Sequence, residues 1–316
     1  MGKKYRNLMP QIVDRENMEA AYRQTAKGRR QTRGYLDFKE YAPLNLAVLA
    51  DEIGSGEYRP GPFYEFQVRD PKPRKISALS FRDRIAQHAL CNVIGPIIDR
   101  ALLPRCFACR PGKGTHMGVK VIQSDLRHLE PEPTFFLKTD FSKYFASIDR
   151  RRLHGLIRKK ISCQATLKLI EAITPLDGQG IPIGSLTSQF YANLYGTQFD
   201  RLIQQEIGLG RWGRYMDDIL VLHHSAEILH ECKSRLEALA SNCGLRFSKW
   251  QVSPVARGVP WLGYRIWPHY KLMRRQSIRR AQRHLQSIIR RGDRSAEAKF
   301  RAAWQGHCRW ADYQPL

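Results

Sequence analysis

Acidic residues are scarce in this sequence. Against 53 Lys and Arg stand only 29 Asp and Glu, so the 316 residues carry a formal net charge of +24 and a pI near 10.1. That imbalance points to a polyanionic partner, with nucleic acid favoured over a membrane surface. Long apolar runs are missing too. Nothing approaches the roughly 18 consecutive apolar residues of a spanning helix, so no membrane segment is expected. The opening Met1-Gly2-Lys3-Lys4-Tyr5-Arg6 lacks a signal-peptide core and the Ser or Thr of a myristoylation signal, and a cytoplasmic location is expected. The 7 cysteines are odd in number and scattered, which argues against a disulfide framework and for reduced, buried thiols. Cys106-Phe107-Ala108-Cys109 has the spacing of half a zinc site, but no second Cys or His pair completes it. Arg110-Pro111-Gly112-Lys113-Gly114-Thr115-His116 is basic and glycine-rich without Walker A spacing, which excludes an NTPase loop.

The chain does have enough apolar residues, 42%, and enough length for a substantial core in one elaborated unit or two to three subdomains. Residues 1–34 hold nine Lys or Arg against three acids. Within them, Met9-Pro10 opens a helix expected to run to residue 23, and residues 27–34 read as a basic loop containing Arg29, Arg30 and Arg33. Residues 44–53 read as a helix stopped by Gly54-Ser55-Gly56, and residues 60–79 as a hairpin interrupted by Pro71-Lys72-Pro73-Arg74. A helix follows over residues 81–98, with His88 a packing residue on it. Further helices are expected over residues 186–199, with Gln189 and Asn193 on one face, and over residues 227–240. Residues 244–252 read as a strand. The tail reads as a basic amphipathic helix, with Ile278, Ala281, Leu285, Ile288 and Ile289 inward and Arg279, Arg280, Arg283, Arg290 and Arg291 outward.

Two stretches carry chemistry. Arg214-Tyr215-Met216-Asp217-Asp218 sets two adjacent aspartates before the apolar strand signal of residues 219–222. In the other, the apolar run from Phe135 ends on Asp140 and passes through Phe141-Ser142-Lys143-Tyr144-Phe145. Taken singly, the first reads as a turn and Asp140 as a helix N-cap. Together, two carboxylate-bearing strand ends can hold a pair of Mg²⁺ ions, which activate a 3′-hydroxyl and stabilise a leaving pyrophosphate in phosphoryl transfer.

These stretches resemble the catalytic motifs of reverse transcriptases. Between them, Gly180-Ile181-Pro182-Ile183-Gly184-Ser185-Leu186-Thr187-Ser188-Gln189-Phe190-Tyr191-Ala192-Asn193-Leu194-Tyr195 resembles the family's substrate-pocket motif, and after them Trp261-Leu262-Gly263-Tyr264 resembles its primer grip. The resemblance covers about residues 70 to 270 and implies an α+β right-hand polymerase fold. Its expected divisions are a basic N-terminal extension (1–60), fingers (61–134), a palm of antiparallel sheet and helices (135–268) and a short helical thumb (269–316). It implies that Asp140, Asp217 and Asp218 are the catalytic and metal-binding residues of a two-Mg²⁺ site. It further implies that Lys72, Arg74, Phe145, Ile183 and Gln189 contact the incoming dNTP, Phe145 as a gate against a 2′-hydroxyl. Arg29, Arg30, Arg33, Lys113, Arg279, Arg280, Arg283 and Arg290 are expected to meet nucleic-acid phosphates. Many relatives carry a lysine near the end of the strand read over residues 244–252, a suspected proton donor to pyrophosphate. Here that position aligns with Gln251, and Lys249 lies two residues earlier.

Within the family, the substrate-pocket motif discriminates. Intron-type relatives read Pro-Gln-Gly followed by Ser-Pro, whereas this chain has Pro182-Ile183-Gly184 and Ser188-Gln189. Together with the small size and basicity, this resembles the bacterial and phage enzymes of diversity-generating retroelements. Such enzymes copy a template-repeat RNA into adenine-mutagenised cDNA, with a flanking non-coding RNA and a small basic pentameric accessory protein as partners. A retron or defence-associated reverse transcriptase is the alternative enzyme, and an RNA-binding scaffold with an inactive polymerase fold the non-enzymatic one.

Overall fold

The computed structural model describes residues 4–69 and 73–312. In chain order these form helices α1 (Met9–Val13), α2 (Arg15–Ala26), α3 (Arg33–Glu40) and α4 (Ala42–Ser55), the hairpin β1 (Tyr64–Arg69) and β2 (Pro73–Ala78), and α5 (Phe81–Asp99). Helix α6 (Thr115–Leu129) leads into strand β3 (Phe135–Phe141), followed by α7 (Tyr144–Ser147), α8 (Arg150–Arg158), α9 (Gln164–Ile173) and α10 (Leu186–Arg201). Then come β4 (Trp212–Tyr215), β5 (Asp218–His223), α11 (Ala226–Asn242) and β6 (Phe247–Pro254). Three short strands, β7 (Val259–Trp261), β8 (Tyr264–Ile266) and β9 (Lys271–Met273), precede α12 (Arg275–Arg290) and α13 (Arg294–Cys308). Among the described residues no helix is long and apolar enough to cross a membrane.

The chain divides into two compact units. The first comprises Met1–Leu103, Ser142–Gln198 and Leu239–Arg246. Helices α1 to α4 pack against α5, whose Ile85, Ala86, Ala89, Leu90 and Ile94 are almost wholly buried. The single helix expected from Met9 onward is two, because Asp14 leaves helical geometry and its carboxylate accepts from the Glu16 and Asn17 amides, capping α2. The basic loop expected over residues 27–34 ends at residue 32, because Arg33 and Gly34 already belong to α3, and α4 stops at Gly56 in the left-handed conformation.

The second unit comprises Pro104–Phe141, Phe199–Ala238 and Phe247–Leu316. Its main sheet is antiparallel in the order β4-β5-β3-β6, and a smaller antiparallel sheet runs β7-β8-β9. Alternation along β3 puts Phe136, Lys138 and Asp140 on one face, and the facing positions on β5 are Leu222, Leu220 and Asp218. That face is therefore apolar at one end and charged at the other. Phe136, Leu220 and Leu222 join a core with Val119, Ile122 and Leu126 of α6 and with Trp261, Tyr264 and Ile266 of the small sheet.

The strand read over residues 244–252 starts later, at Phe247. The tail contains a second helix, α13, beyond the one expected. On α12 the inward stripe is Ala281, Leu285 and Ile288, while Ile289, expected inward, is 49% exposed, one step of 100° past that stripe. Burial of the thiols is likewise incomplete, since Cys109 is exposed and Cys163 half-buried.

Candidate active site

The carboxylates are brought together in the second unit. β4 and β5 are joined by a two-residue loop, Met216-Asp217, closed by the pair Tyr215 and Asp218. Met216 takes a φ of 54°, the left-handed value that tight hairpin turns of this length demand. Asp140 lies directly opposite Asp218 on β5 and opposite Lys249 on β6, and the β3–β6 register shifts immediately after it. That bulge ends regular pairing where the acids emerge. The Phe141 amide donates to the Asp217 carbonyl at 3.3 Å, tying the loop to β3.

The loop is braced from below by Arg214, which is wholly buried. Its guanidinium donates to both carboxylate oxygens of buried Asp200 at 2.7 and 2.8 Å, to the Met216 carbonyl at 3.1 Å and to the Cys106 sulfur at 3.3 Å. Burial pushes the Asp200 carboxyl up and the Arg214 charge pulls it back. Beside the acids, the Lys138 ammonium sits 3.1 Å from Asp218 Oδ2. Burial raises the Asp218 pKa to about 7, Lys138 partly offsets this, and the charges of Asp140 and Asp217 raise it further. Neither Arg214–Asp200 nor Lys138–Asp218 was legible beforehand: the first joins positions 14 residues apart that only the fold places side by side.

Among the described residues no three acidic, His or Cys groups already converge as a metal site. The donor set nevertheless fits a hard divalent cation. All three candidates are carboxylates, and Asp218 Oδ1 is buried without a hydrogen-bond partner.

The residues read as nucleotide contacts belong to the first unit. Arg74 is exposed on β2 opposite Val68, and neighbouring Lys75 is paired with Glu65 at 2.6 Å. Lys72 lies outside the described residues. Ile183 is half-buried, and its carbonyl accepts from the Ser77 amide of β2 at 2.8 Å. The Ile181 amide donates to the Phe145 carbonyl at 2.8 Å, so the segments bearing Phe145, Ile183 and Arg74 are linked through backbone. Two glycines make this possible: a Cβ on Gly180 would meet the Ala146 oxygen at 2.7 Å and one on Gly184 the Ser77 oxygen at 2.8 Å, both at positive φ. Gln87 of α5 accepts from the Ser185 hydroxyl and the Leu186 amide at 2.8 and 3.0 Å. Gln189 is exposed whereas Asn193 is buried, so only the first faces outward. Gln189 lines a cavity of about 220 Å³ with Arg29, Arg84 and His88. Burial and the charges of Arg29 and Arg84 lower the His88 pKa, favouring its neutral form.

The remaining residues are spread over both units. Arg30 and Arg33 are exposed in the first, Arg33 lying 3.8 Å from Asp37. In the second, Lys113 donates to the Pro104 carbonyl at 2.9 Å, and Arg279, Arg280, Arg283 and Arg290 are exposed along α12. Trp261 and Tyr264 are fully buried, so only Leu262 and Gly263, which form the β7–β8 turn, reach the surface.

A hairpin bearing two aspartates thus lies beside a third strand-end acid, a donor set suited to a divalent cation. The family model described as reverse transcriptase (RNA-dependent DNA polymerase) matches residues 68–266. The chain belongs to the reverse transcriptase family. It is similar to protein YkfC of Escherichia coli K12, 22% identical with 71% of each chain covered. It is also similar to the group II intron-encoded protein LtrA of Lactococcus lactis, 23% identical over 55% of this chain and 31% of that one. The chain thus spans about a third of LtrA's length. Among solved structures, an apo telomerase of Candida tropicalis truncated from its C-terminal domain matches with a TM-score of 0.52 at 8% identity. That match covers 74% of this chain and 60% of the telomerase chain, and it supports the right-hand polymerase fold. As a reverse transcriptase the protein is an RNA-directed DNA polymerase, with template RNA and nucleotides as its substrates.

Proposed function

We propose that this reverse transcriptase serves a diversity-generating retroelement, copying a template-repeat RNA into cDNA that is mutated mainly opposite adenine. The observation carrying this reading is Ile183. It stands in the substrate-pocket motif where intron-type relatives have glutamine, and its own carbonyl is already engaged by Ser77. Its β-branched side chain can neither donate nor accept a hydrogen bond, so it offers an incoming nucleotide only a stiff apolar wall. One lost contact of that kind weakens selection by about 0.5–1.5 kcal/mol, which permits frequent error while synthesis continues. The preference for adenine comes from the family resemblance, as do the flanking non-coding RNA and the basic accessory protein.

In this reading Asp140, Asp217 and Asp218 hold Mg²⁺, which when bound activates the primer 3′-hydroxyl and stabilises the leaving pyrophosphate. Arg74 on β2 meets the triphosphate, and Phe145 closes the space beneath C2′ of the sugar. Lys249 shares the sheet face and level of Asp140, which suits it better than Gln251 to protonate pyrophosphate. The hairpin β1–β2 with α5 serves as fingers, the main sheet as palm, and α12 with α13 as a thumb whose exposed arginines follow duplex phosphates.

The test is a primer extension with purified protein, Mg²⁺ and an RNA template holding all four bases equally, read by sequencing the cDNA. Errors concentrated opposite adenine support the assignment. An even, low error rate would move the protein to the retron or defence-associated class, and no incorporation with any divalent metal would leave it an RNA-binding scaffold.

A further inference from the structure

Charge is distributed unevenly along this chain. Over residues 34–58 one base, Lys39, stands among five acids, Asp37, Glu40, Asp51, Glu52 and Glu57, a local charge of −4 within a total of +24. The same stretch exposes large apolar side chains: Leu36 by 52%, Tyr41 by 58%, Leu44 by 62% and Val48 by 49%. Tyr41, Leu44 and Val48 recur at helical spacing, so they form one stripe at and along α4, and Asp51 continues it. On the adjoining flank of α4, Pro43, Leu46, Ala47 and Ala50 line an apolar groove of about 660 Å³ with Met18 and Tyr22 of α2. Arg15 and Arg23 at the rim of this groove both lie against Glu19, at 3.0 and 3.6 Å, which neutralises part of their charge.

Scattered exposed apolar residues are ordinary, but a contiguous stripe beside an apolar groove marks a place where another surface binds. The acids indicate which surface. Asp37 and Glu52 are paired with Arg33 and Arg82, whereas exposed Glu40, Asp51 and Glu57 carry no ion pair among the described residues. Carboxylates in that position repel a phosphate backbone, so this is the part of the first unit least suited to RNA. In a symmetric contact with a second copy, the same acids would face their own counterparts. We propose that the α3–α4 face docks a partner protein through a basic amphipathic helix. Its apolar side seats on Leu44, Val48 and the groove, and its Lys or Arg residues meet Glu40, Asp51 and Glu57. The surface uses none of the residues assigned to nucleotide or RNA, and the inference does not depend on which RNA is copied.

The test titrates full-length protein into a fluorescently labelled synthetic helix of leucine and lysine, with leucines at helical spacing. A glutamate-for-lysine version is the control. The lysine helix is expected to bind, although the chain as a whole repels it. Leu44→Asp combined with Val48→Asp should weaken it about tenfold or more. Asp51→Lys should weaken it by a smaller factor and improve the glutamate helix. Primer extension on a simple template should be unchanged in both variants. Because Asp51→Lys alters only an exposed charge, it decides the matter even if the double variant melts early. Equal binding of the two helices, or no effect of either variant, overturns the proposal. A dimer seen in sedimentation that Leu44→Asp dissociates would assign the face to a second copy, and lost affinity for labelled RNA in these variants would assign it to nucleic acid.

Discussion

In the second unit, the turn at residues 215–218 is held by side chains. Buried Arg214 reaches Asp200, the Met216 carbonyl and Cys106, and Lys138 reaches Asp218. In the first unit, the segment over residues 180–186 is held by backbone bonds to Phe145, Ile148 and Ser77 and by two glycines that admit no side chain, with Arg150 and Gln87 binding its two ends and no buried charge pair within it. A scaffold of the first kind fails when one side chain is changed, because the charge left behind stays buried. A scaffold of the second kind lets its side chains vary while the path of the chain is kept. The carboxylates are thus fixed in place, and the side chains proposed to meet the nucleotide are free to vary.

The largest expected effect falls on the fixed side. Asp217→Asn should reduce dNTP incorporation by orders of magnitude while RNA affinity, read by filter binding, stays near wild type. Near-normal extension by that variant would remove Asp217 from the reaction. Next, Arg214→Met strands Asp200 and should destabilise the protein by about 3–5 kcal/mol in denaturant melts. Ile183→Gln, by contrast, should leave stability within about 1 kcal/mol. If the two variants melt alike, the contrast between side-chain and backbone bracing is lost.

A third expectation concerns pH. Asp218 rises from 3.8 to about 7 on folding, chiefly through burial. The folded state then holds this proton more tightly than the unfolded chain, so the stabilisation is complete below 3.8 and is lost as pH rises through about 7. In EDTA, the Tm difference between wild type and Asp218→Asn should shift against the wild type across that window, and added divalent cation should reverse the shift at the upper end. A difference independent of pH would mean that Lys138 fully compensates the burial. The smallest effect is on selection: Ile183→Gln should lower errors opposite adenine a few-fold relative to those opposite other bases. If the sequenced cDNA shows the adenine error rate unchanged, infidelity lies elsewhere, and Arg74 is the next residue to vary.

Much of this was readable from residue order. Local patterns located the hairpin before α5, α5 itself, α10, α11 and the strand ending on Asp140, since apolar period and caps are written in neighbouring residues. The break at Asp14 was missed because the helical pattern continues across it and only the cap geometry shows the interruption. Helix α13 was missed for a related reason, as its inward residues at the C-terminal end, Cys308 and the ring cluster around His307, are an uncommon apolar set. Arg214 heads the stretch that holds the two aspartates, but its bracing role was not legible there. Its role depends on Asp200 arriving beside it, and no local pattern encodes that. The relatives' lysine position aligns with Gln251, whereas the β3–β6 register sets Lys249, two residues earlier, at the level of Asp140.

Gly213 lies in β4, one residue before Arg214, and a Cβ there would stand 2.8 Å from the Trp261 ring. Trp261 ends β7, and the turn at Leu262 and Gly263 follows it directly. The strand that delivers the acids and the turn that would support the primer end are therefore seated against each other through a glycine and an indole, with no loop between them to absorb slack. Neither can advance without the other. If the proposed roles hold, this piece would serve as a stationary anvil, and the nucleic acid would travel across it one base step at a time.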